Sequence, residues 1–425
     1  MIDIDLIRTS PKVVEDTLKK RGQNTKISLV SQLKNADEEW RELKSEIDDL
    51  RAQRNRVSQD INEAKKAGKD VKAVIAKAKK IPEEIAKKEK RCDALRAEID
   101  TAMMQLPNIL DKDVPMGKSA DDNKLVHEWG KISKPTFPLK SHVELCEALD
   151  LADFERSAKI SGRGFYFLKN ELMLLEQALI RFVLDHLYKK GFTLTSVPYM
   201  MRKEPYSGVT DLSAFNDALY KIDNDDQYLI ATSEHPLTAQ FMDEIIEDPH
   251  LPIKNAALSA CFRKEAGAHG VDEKGLFRVH QFHKVEQVII CKPEDGAKWH
   301  EQMLKNAEEV FKALRLPYRV IILCSADIGA VASKTYDLEV WMPRTQQYRE
   351  AVSCSNVKDF QSRRLKIRYR TSDGTKFVHT LNSTAIATTR ALVAILENYQ
   401  QKDGSIKIPE ALWSYMNGIK VMKRK

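Results

Sequence analysis

The apolar positions follow two different rhythms. Between residues 29 and 106 they recur in steps of three and four: Leu29, Leu33, Ala36, Trp40, Leu43, Ile47, Leu50, Arg54, Val57, Ile61 and Ala64. After Gly68 come Val71, Val74, Ala78, Ile81, Ile85, Lys88, Cys92, Leu95, Ile99, Ala102 and Leu106, ending at Pro107. This is a heptad seam. Two runs of similar length about one glycine predict an antiparallel helical hairpin, and ~35 residues per helix at 1.5 Å each give an arm on the order of 50 Å. Arg54 and Lys88 hold seam positions, where their stems can snorkel across from one another, and Pro82 predicts a bend inside the second helix. Ahead of the arm, residues 1–28 read as a short helical lead-in with Ser10 as N-cap, Pro11 at the first helical position and Gly22 closing it.

Beyond Pro107 the rhythm changes. Residues 107–140 are rich in Pro, Asp, Lys and Gly, lack periodicity and read as a linker. The domains predicted are therefore 1–106, the linker 107–140, and a mixed α/β domain over 141–425. Within the last, helices are expected at about 141–156, at Asn170–Lys190, at about 294–314 and at Ala385–Gln400. Strands are expected at Gly191–Pro198, Ala257–Glu265, Leu276–Cys291, Tyr318–Leu323, Tyr336–Trp341 and Thr375–Leu381. Strands follow one another without βαβ regularity, which predicts a largely antiparallel sheet backed by helices. The short basic tail VMKRK reads as a disordered terminus.

Charge sharpens the picture of the arm. The net charge of +7 is mild, but residues 29–50 carry three Lys/Arg against seven Asp/Glu, whereas 51–91 carry fourteen against six. A basic distal half suits a polyanion gripped through its phosphates, although a solvated coiled-coil surface or a dimerisation rod has the same composition. Six dispersed cysteines without a CxxC pair read as reduced core thiols of a cytoplasmic protein. No run long and apolar enough for a membrane span occurs. The absence of GxGxxG, GxxxxGK[ST] and HExxH points away from Rossmann, P-loop and zinc-protease sites.

The chemistry gathers at Phe262–Glu286. A period of two places Arg263 and Glu265 on one face of the first strand, and His280, Phe282, Lys284 and Glu286 on one face of the second, with the glycine-rich loop Ala266–Gly275 between them. A cation, carboxylates and an aromatic ring would then share one sheet surface.

FRKEAG followed by HQFHKVE, together with TSEHPL, REAVSCSNVKDFQSRR and TLNSTAIATTRALVAILENYQ behind a long helical hairpin, resembles the seryl-tRNA synthetases of the class II aminoacyl-tRNA synthetase family. The hairpin resembles motif 2, the helix and strand ending at Pro198 motif 1, and the strand and helix carrying Arg390 motif 3. The resemblance implies an α+β fold, with an N-terminal antiparallel helical coiled-coil arm and a class II antiparallel β-sheet catalytic domain flanked by helices. It implies activation of L-serine by ATP with Mg²⁺, and its transfer to tRNA(Ser) and tRNA(Sec). It also implies a homodimer through motif 1, and an arm whose basic distal half grips the tRNA. Catalytic roles fall to Arg263, Glu265 and Arg390. ATP would meet Arg263, Lys264, Glu265, Val279, His280, Gln281, Phe282, Glu350, Ala351, Val352, Ser353 and Arg390. Serine would meet Thr232, Glu234, Arg263, Glu286, Asn382 and Thr384, and Mg²⁺ would take Glu350 and Ser353. Asn382-Ser383-Thr384 and Thr389-Arg390 stand where bacterial members commonly show NGSG and GR, so this chain is more similar to the eukaryotic and archaeal type. The loop with His269, Asp272, Glu273 and Lys274 is the segment expected to move when the tRNA acceptor end arrives. Two other readings stay open: an adenylating homologue that loads a non-tRNA acceptor, and a catalytically inactive coiled-coil binding protein.

Overall fold

The computed structural model describes residues 1–68, 70–72, 75, 78–212, 217–265 and 275–424. Val74 of the seam and residues 266–274 of the hairpin loop lie outside them. The chain divides into two compact units, Met1–Ile109 and Leu110–Lys425.

The first unit opens with α1 (Ile4–Thr9) and α2 (Pro11–Lys20), followed by α3 (Ile27–Lys66) and α4 (Lys80–Gln105). Ser10 precedes Pro11 as expected, but its side chain makes no capping bond. Gly22 ends the lead-in at φ +69, a left-handed conformation suited to glycine. α3 spans 40 residues and α4 26, and ahead of α4 the described residues Lys72, Ile75 and Ala78 are helical as well. A turn at Lys79 precedes α4. Pro82 therefore falls in the first turn of α4, where a helix has no ladder bond to lose, and it occupies a start rather than a bend. Seam residues Leu33, Ile47, Ile81, Ile85, Leu95 and Ile99 are buried. Lys88 bonds Glu46 at 2.7 Å and does not meet Arg54, which is exposed. Arg51–Glu89 and Arg91–Glu39 also bridge α3 and α4. Among the described residues no ion pair involves Arg54, Arg56, Lys65, Lys66, Lys79, Lys80 or Lys87.

The lead-in is fastened to α3 by a buried carboxylate. Asp37 is 2% exposed and accepts from Arg8 Nε and Nη2, both at 2.8 Å, and from Arg41 Nε at 2.9 Å. The hydrogen bonds from Arg8 hold its carboxyl below the usual range.

The second unit is built on an eight-stranded sheet. Its strands are β1 (Lys124–Trp129), β2 (Thr193–Ser196), β3 (Ile253–Phe262), β4 (Gln281–Cys291), β5 (Tyr318–Ile322), β6 (Lys334–Met342), β7 (Gln347–Lys358) and β8 (His379–Ala387). They lie in the order β1-β5-β6-β7-β8-β4-β3-β2, antiparallel throughout except for the parallel β2–β3 pair. β1 lies inside the stretch read as linker. An edge strand that pairs on one side with β5 and leaves Leu125 and Val126 exposed carries little apolar patterning. The helix expected at 141–156 is two helices, α5 (His142–Ala148) and α6 (Phe154–Ser161), separated by a short strand. The tail is ordered as far as Val421–Met422, which pairs with Ile406–Lys407.

One face of the sheet is covered by α7 (Asn170–Lys189), α9 (Gly296–Ala313) and α11 (Thr388–Tyr399), while α8 (Glu234–Ala239) and α10 (Phe360–Leu365) lie elsewhere in the unit. α7 buries Leu172, Leu175, Leu179, Val183 and Leu187 at helical spacing. Each such side chain contributes roughly 1.5–3 kcal/mol of burial. Five cysteines are buried and free, and Cys92 is half-buried and free. Among the described residues no helix is long and apolar enough to cross a membrane.

Replacing Asp37 with Asn should cost about 1–3 kcal/mol at neutral pH, seen as faster amide hydrogen exchange in α1–α3 of the full chain. A carboxyl with a lowered folded pKa contributes fully above its unfolded value, so the difference from wild type should begin to shrink as pH falls below about 4. A difference as large at pH 3 as at pH 7 would contradict this.

Candidate active site

The face of the sheet away from α7 opens a cavity of about 640 Å³. β4 supplies Phe282, Lys284 and Glu286 by plain alternation, while Val285 and Ile289 point into the core behind. β7 needs a correction of register. Glu350 and Ser353 are three residues apart and would face opposite ways in a regular strand. The pairing shifts between Leu338 and Glu339, and the extra residue Ala351 restores both to the cavity side. A second shift at Ala385 of β8 leaves Thr384 opposite Glu286 and Ala387 opposite Lys284. α11 then starts at the cavity wall with Thr389 and Arg390.

Of the residues expected to serve ATP, serine and Mg²⁺, thirteen line this cavity: Thr232, Glu234, Arg263, Glu265, Val279, Phe282, Glu286, Glu350, Ala351, Ser353, Asn382, Thr384 and Arg390. Four do not. β3 ends at Phe262 and β4 begins only at Gln281, so alternation cannot be carried to His280. Its ring stacks on Phe165 at 5.2 Å, Nδ1 meets the Tyr220 hydroxyl, and its N–H donates to the Gly164 carbonyl. Gln281 alternates with Phe282 and is exposed. Val352 alternates with Ser353 and is 1% exposed in the core. The Lys264 N–H donates to the Ala218 carbonyl, and its ammonium lies 5.7 Å from the centre of the Tyr220 ring. Arg263 and Glu265 both reach the cavity, but on irregular backbone beyond β3, with Glu265 at φ +46, rather than along a strand.

The cations are held in place. Arg263 Nε donates to the Ala231 carbonyl at 3.3 Å, with the guanidinium 5.5 Å from the Phe282 ring centre. Arg390 Nη1 donates to the Glu350 carbonyl at 2.9 Å and pairs with its carboxylate at 3.0 Å, the guanidinium standing 5.4 Å from the Phe277 ring centre. Lys284 is 6% exposed and lies 2.5 Å from Glu286, itself 1% exposed. The Thr384 hydroxyl donates to the same Glu286 oxygen at 3.3 Å.

The other carboxyls differ in charge preference. Burial, and then the negative charge of Glu286, pushes the Glu234 carboxyl up to about 7; one of its oxygens accepts from Gln361 at 3.0 Å. Burial pushes the neighbouring His235 down to about 3, so that imidazole is neutral. Partial desolvation opposes the charge of Glu350, whose side chain is still 46% exposed, but Arg390, Arg263 and Lys284 outweigh it and hold the carboxyl below the usual range. Asp337 of β6, opposite Ser353, goes the other way, pushed well up by burial and then by Glu350. Its Oδ1 is buried with no hydrogen-bond partner. An orphaned carboxylate oxygen beside a second carboxylate and a serine hydroxyl is a hard-oxygen donor set that suits Mg²⁺. Among the described residues no cluster of three or more His, Cys, Asp or Glu has metal-binding geometry.

The largely antiparallel sheet, its helical backing and this cavity define a class II aminoacyl-tRNA synthetase core. Residues 219–399 match the family model for the tRNA synthetase class II core domain (G, H, P, S and T). Residues 1–110 match the seryl-tRNA synthetase N-terminal domain. The serine–tRNA ligase of Methanocella arvoryzae is 51% identical over 99% of this chain and 100% of its own. That of Pyrococcus furiosus is 48% identical over 98% and 96%. Among solved structures, seryl-tRNA synthetase from Pyrococcus horikoshii complexed with ATP superposes with a TM-score of 0.97 at 44% identity, covering 100% of both chains. The cytoplasmic enzyme from Naegleria fowleri in complex with AMP gives 0.90 at 33%, covering 100% and 99%. The chain belongs to the seryl-tRNA synthetase family.

The reading from sequence placed Lys284 on the right face but gave it no role, and it missed Asp337. Lys284 had a signal, since it alternates with Phe282 and Glu286. Asp337 had none beyond its place in an alternating strand.

Replacing Glu234 with Gln removes a carboxyl that folding disfavours. The folded pKa lies above the unfolded one, so the penalty is absent below about 4.5, grows to about 7 and is constant above. The ligand-free variant should gain about 1–3 kcal/mol over wild type at pH 8 and nothing at pH 4.5, read from urea unfolding at the two values. A pH-independent difference would contradict the assignment.

Proposed function

We propose that this chain joins L-serine to ATP as seryl-adenylate and transfers the seryl group to the 3′ end of tRNA(Ser). The observation that carries this is the gathering of Arg263, Arg390 and Phe282 with Glu286, Glu234, Thr232 and Thr384 in one cavity of a chain of this family.

In the first step a serine carboxylate oxygen attacks the α-phosphorus of ATP. A P–O bond forms, the bond to the β-phosphate breaks and pyrophosphate leaves. The carboxylate is already ionised at neutral pH, so no base is needed and the barrier is charge repulsion and orientation. The Arg263 guanidinium lowers the repulsion by meeting both the α-phosphate and the carboxylate. Arg390 takes the γ-phosphate, and its present bond to Glu350 holds it ready at the wall. Phe282 stacks on adenine, and Glu265 accepts from its amino group. Glu350 and Ser353, with Asp337 beside them, would hold Mg²⁺, which when bound neutralises phosphate charge. Glu286, Glu234, Thr232, Asn382 and Thr384 receive the serine ammonium and hydroxyl. A pocket that bonds a hydroxyl rejects alanine and glycine, because buried acceptors would be left unpaired.

In the second step the terminal ribose hydroxyl of the tRNA attacks the adenylate carbonyl, the ester forms and AMP leaves. The lysines and arginines of α3 and α4 that have no ion-pair partner among the described residues supply phosphate contacts for the tRNA. tRNA(Sec) as a second substrate, a homodimer through the Asn170–Ser196 region and a cytoplasmic location complete the reading.

Purified protein with ATP, serine and unfractionated tRNA tests it. Seryl-tRNA is expected; adenylate without charging would indicate a non-tRNA acceptor, and neither product an inactive binding protein. Deleting residues 45–95 should abolish charging and spare serine-dependent ATP–pyrophosphate exchange; retained charging would end the arm's role. Arg390→Ala should lower kcat/KM for ATP by roughly 10²–10³-fold, and an unchanged value would remove it from the nucleotide site.

A further inference from the structure

We propose that Lys284 is a positioning residue for amino-acid recognition: it clamps one oxygen of Glu286, leaves the other for the ligand and keeps that carboxylate an acceptor beside Glu234. The proposal rests on the serine-activating reading above and deepens it.

A lysine at 6% exposure is rare unless it is paired, and here the partner is a cavity-lining carboxylate two residues along the same strand face. Glu286 Oε2 takes both Lys284 Nζ at 2.5 Å and the Thr384 hydroxyl at 3.3 Å. Oε1 has no protein partner among the described residues, although Glu286 lines the cavity. The side chain is fixed through one oxygen and presents the other.

The surroundings explain why a cation is needed. Glu234 and His235 of α8 face this pair, as do Cys261 of β3 and Arg263 beyond it, and Glu350 and Cys354 of β7, while Asp337 of β6 lines the same cavity. The imidazole is neutral, and Arg263 turns its Nε to the Ala231 carbonyl, so among the described residues Lys284 is the cation in contact with Glu286. Two carboxyls close together without a cation share a proton. Glu286 would then present an O–H donor to ligand groups, ammonium and hydroxyl, that must themselves donate. Removing Lys284 takes away no group that touches the amino acid, yet it disables the reading of it.

The test is serine-dependent ATP–pyrophosphate exchange by the full chain from pH 6 to 9. K284M should raise the serine KM about a hundredfold while the ATP KM stays within about twofold. The rising limb of kcat/KM for serine should move at least about one unit toward alkaline pH. K284R, which keeps the charge, should recover to within about tenfold of wild type. An unshifted pH profile, serine and ATP KM raised together, or K284R no better than K284M would each overturn the proposal. If K284M does not fold, E286Q and the K284M/E286Q pair, which buries no lone charge, decide. Because Lys284 acts through Glu286, the double variant should be no worse than E286Q alone, and a further tenfold loss would overturn the clamp. Wild-type protein without serine-dependent exchange would overturn the underlying reading and this proposal with it. Wild-type exchange that K284M reproduces, at the same serine KM and with the same pH profile, would overturn the clamp alone.

Discussion

Lys284, Arg263 and Arg390 hold charge on the wall of a cavity where six carboxylates face four cations, the fourth being Arg278. The buried members cannot be left alone, because an unpaired charge away from water costs several kcal/mol. The result is division of labour among like groups. Glu286 is clamped by lysine, Glu350 is held charged by two guanidiniums, and Glu234 and Asp337 are pushed toward the protonated form. Pairs of carboxyls with environments that separate their charge states are what a site needs to tell a donor from a cation.

The sheet makes this arrangement possible because its two faces do different work. Behind the cavity, α7, α9 and α11 bury Leu175, Leu179, Met303, Ala307, Leu392 and Ile395 against Val285, Ile289, Leu338 and Val352. That packing fixes the strands, and fixed strands aim the polar side chains in front. The two bulges adjust the aim where spacing alone would fail: one residue at Ala351 aligns Glu350 with Ser353, and one at Ala385 sets Thr384 against Glu286.

Much of this was legible in the residues, for identifiable reasons. α7, α11 and the seam of the arm follow from helical spacing because one face of each is buried. Phe282, Lys284 and Glu286 follow from a period of two because β4 is regular from Gln281 onward. The misplaced residues are those where a local pattern was carried past the element that enforces it. His280 precedes the strand, and Lys264, Gln281 and Val352 are neighbours of cavity residues on alternating or irregular backbone. β1 escaped notice because an edge strand buries little, and Pro82 misled because the distal run breaks at Lys79 rather than continuing through it. Asp337 was invisible because its meaning lies in a partner strand, where it meets Ser353.

Glu350 is held charged on the cavity wall, so a polyphosphate that comes beside it meets like charge unless a cation stands between them. The account therefore makes ATP affinity depend on Mg²⁺ supplied to Glu350, Ser353 and Asp337, whereas AMP, with less charge and no phosphate to reach them, should bind alike in either condition. Calorimetric titration of ATP and AMP into the full chain, with Mg²⁺ and after chelation, measures this directly. The account predicts at least a roughly tenfold loss of ATP affinity on chelation, a difference of about 1.4 kcal/mol, with AMP unchanged. Equal ATP affinity in both conditions would contradict it.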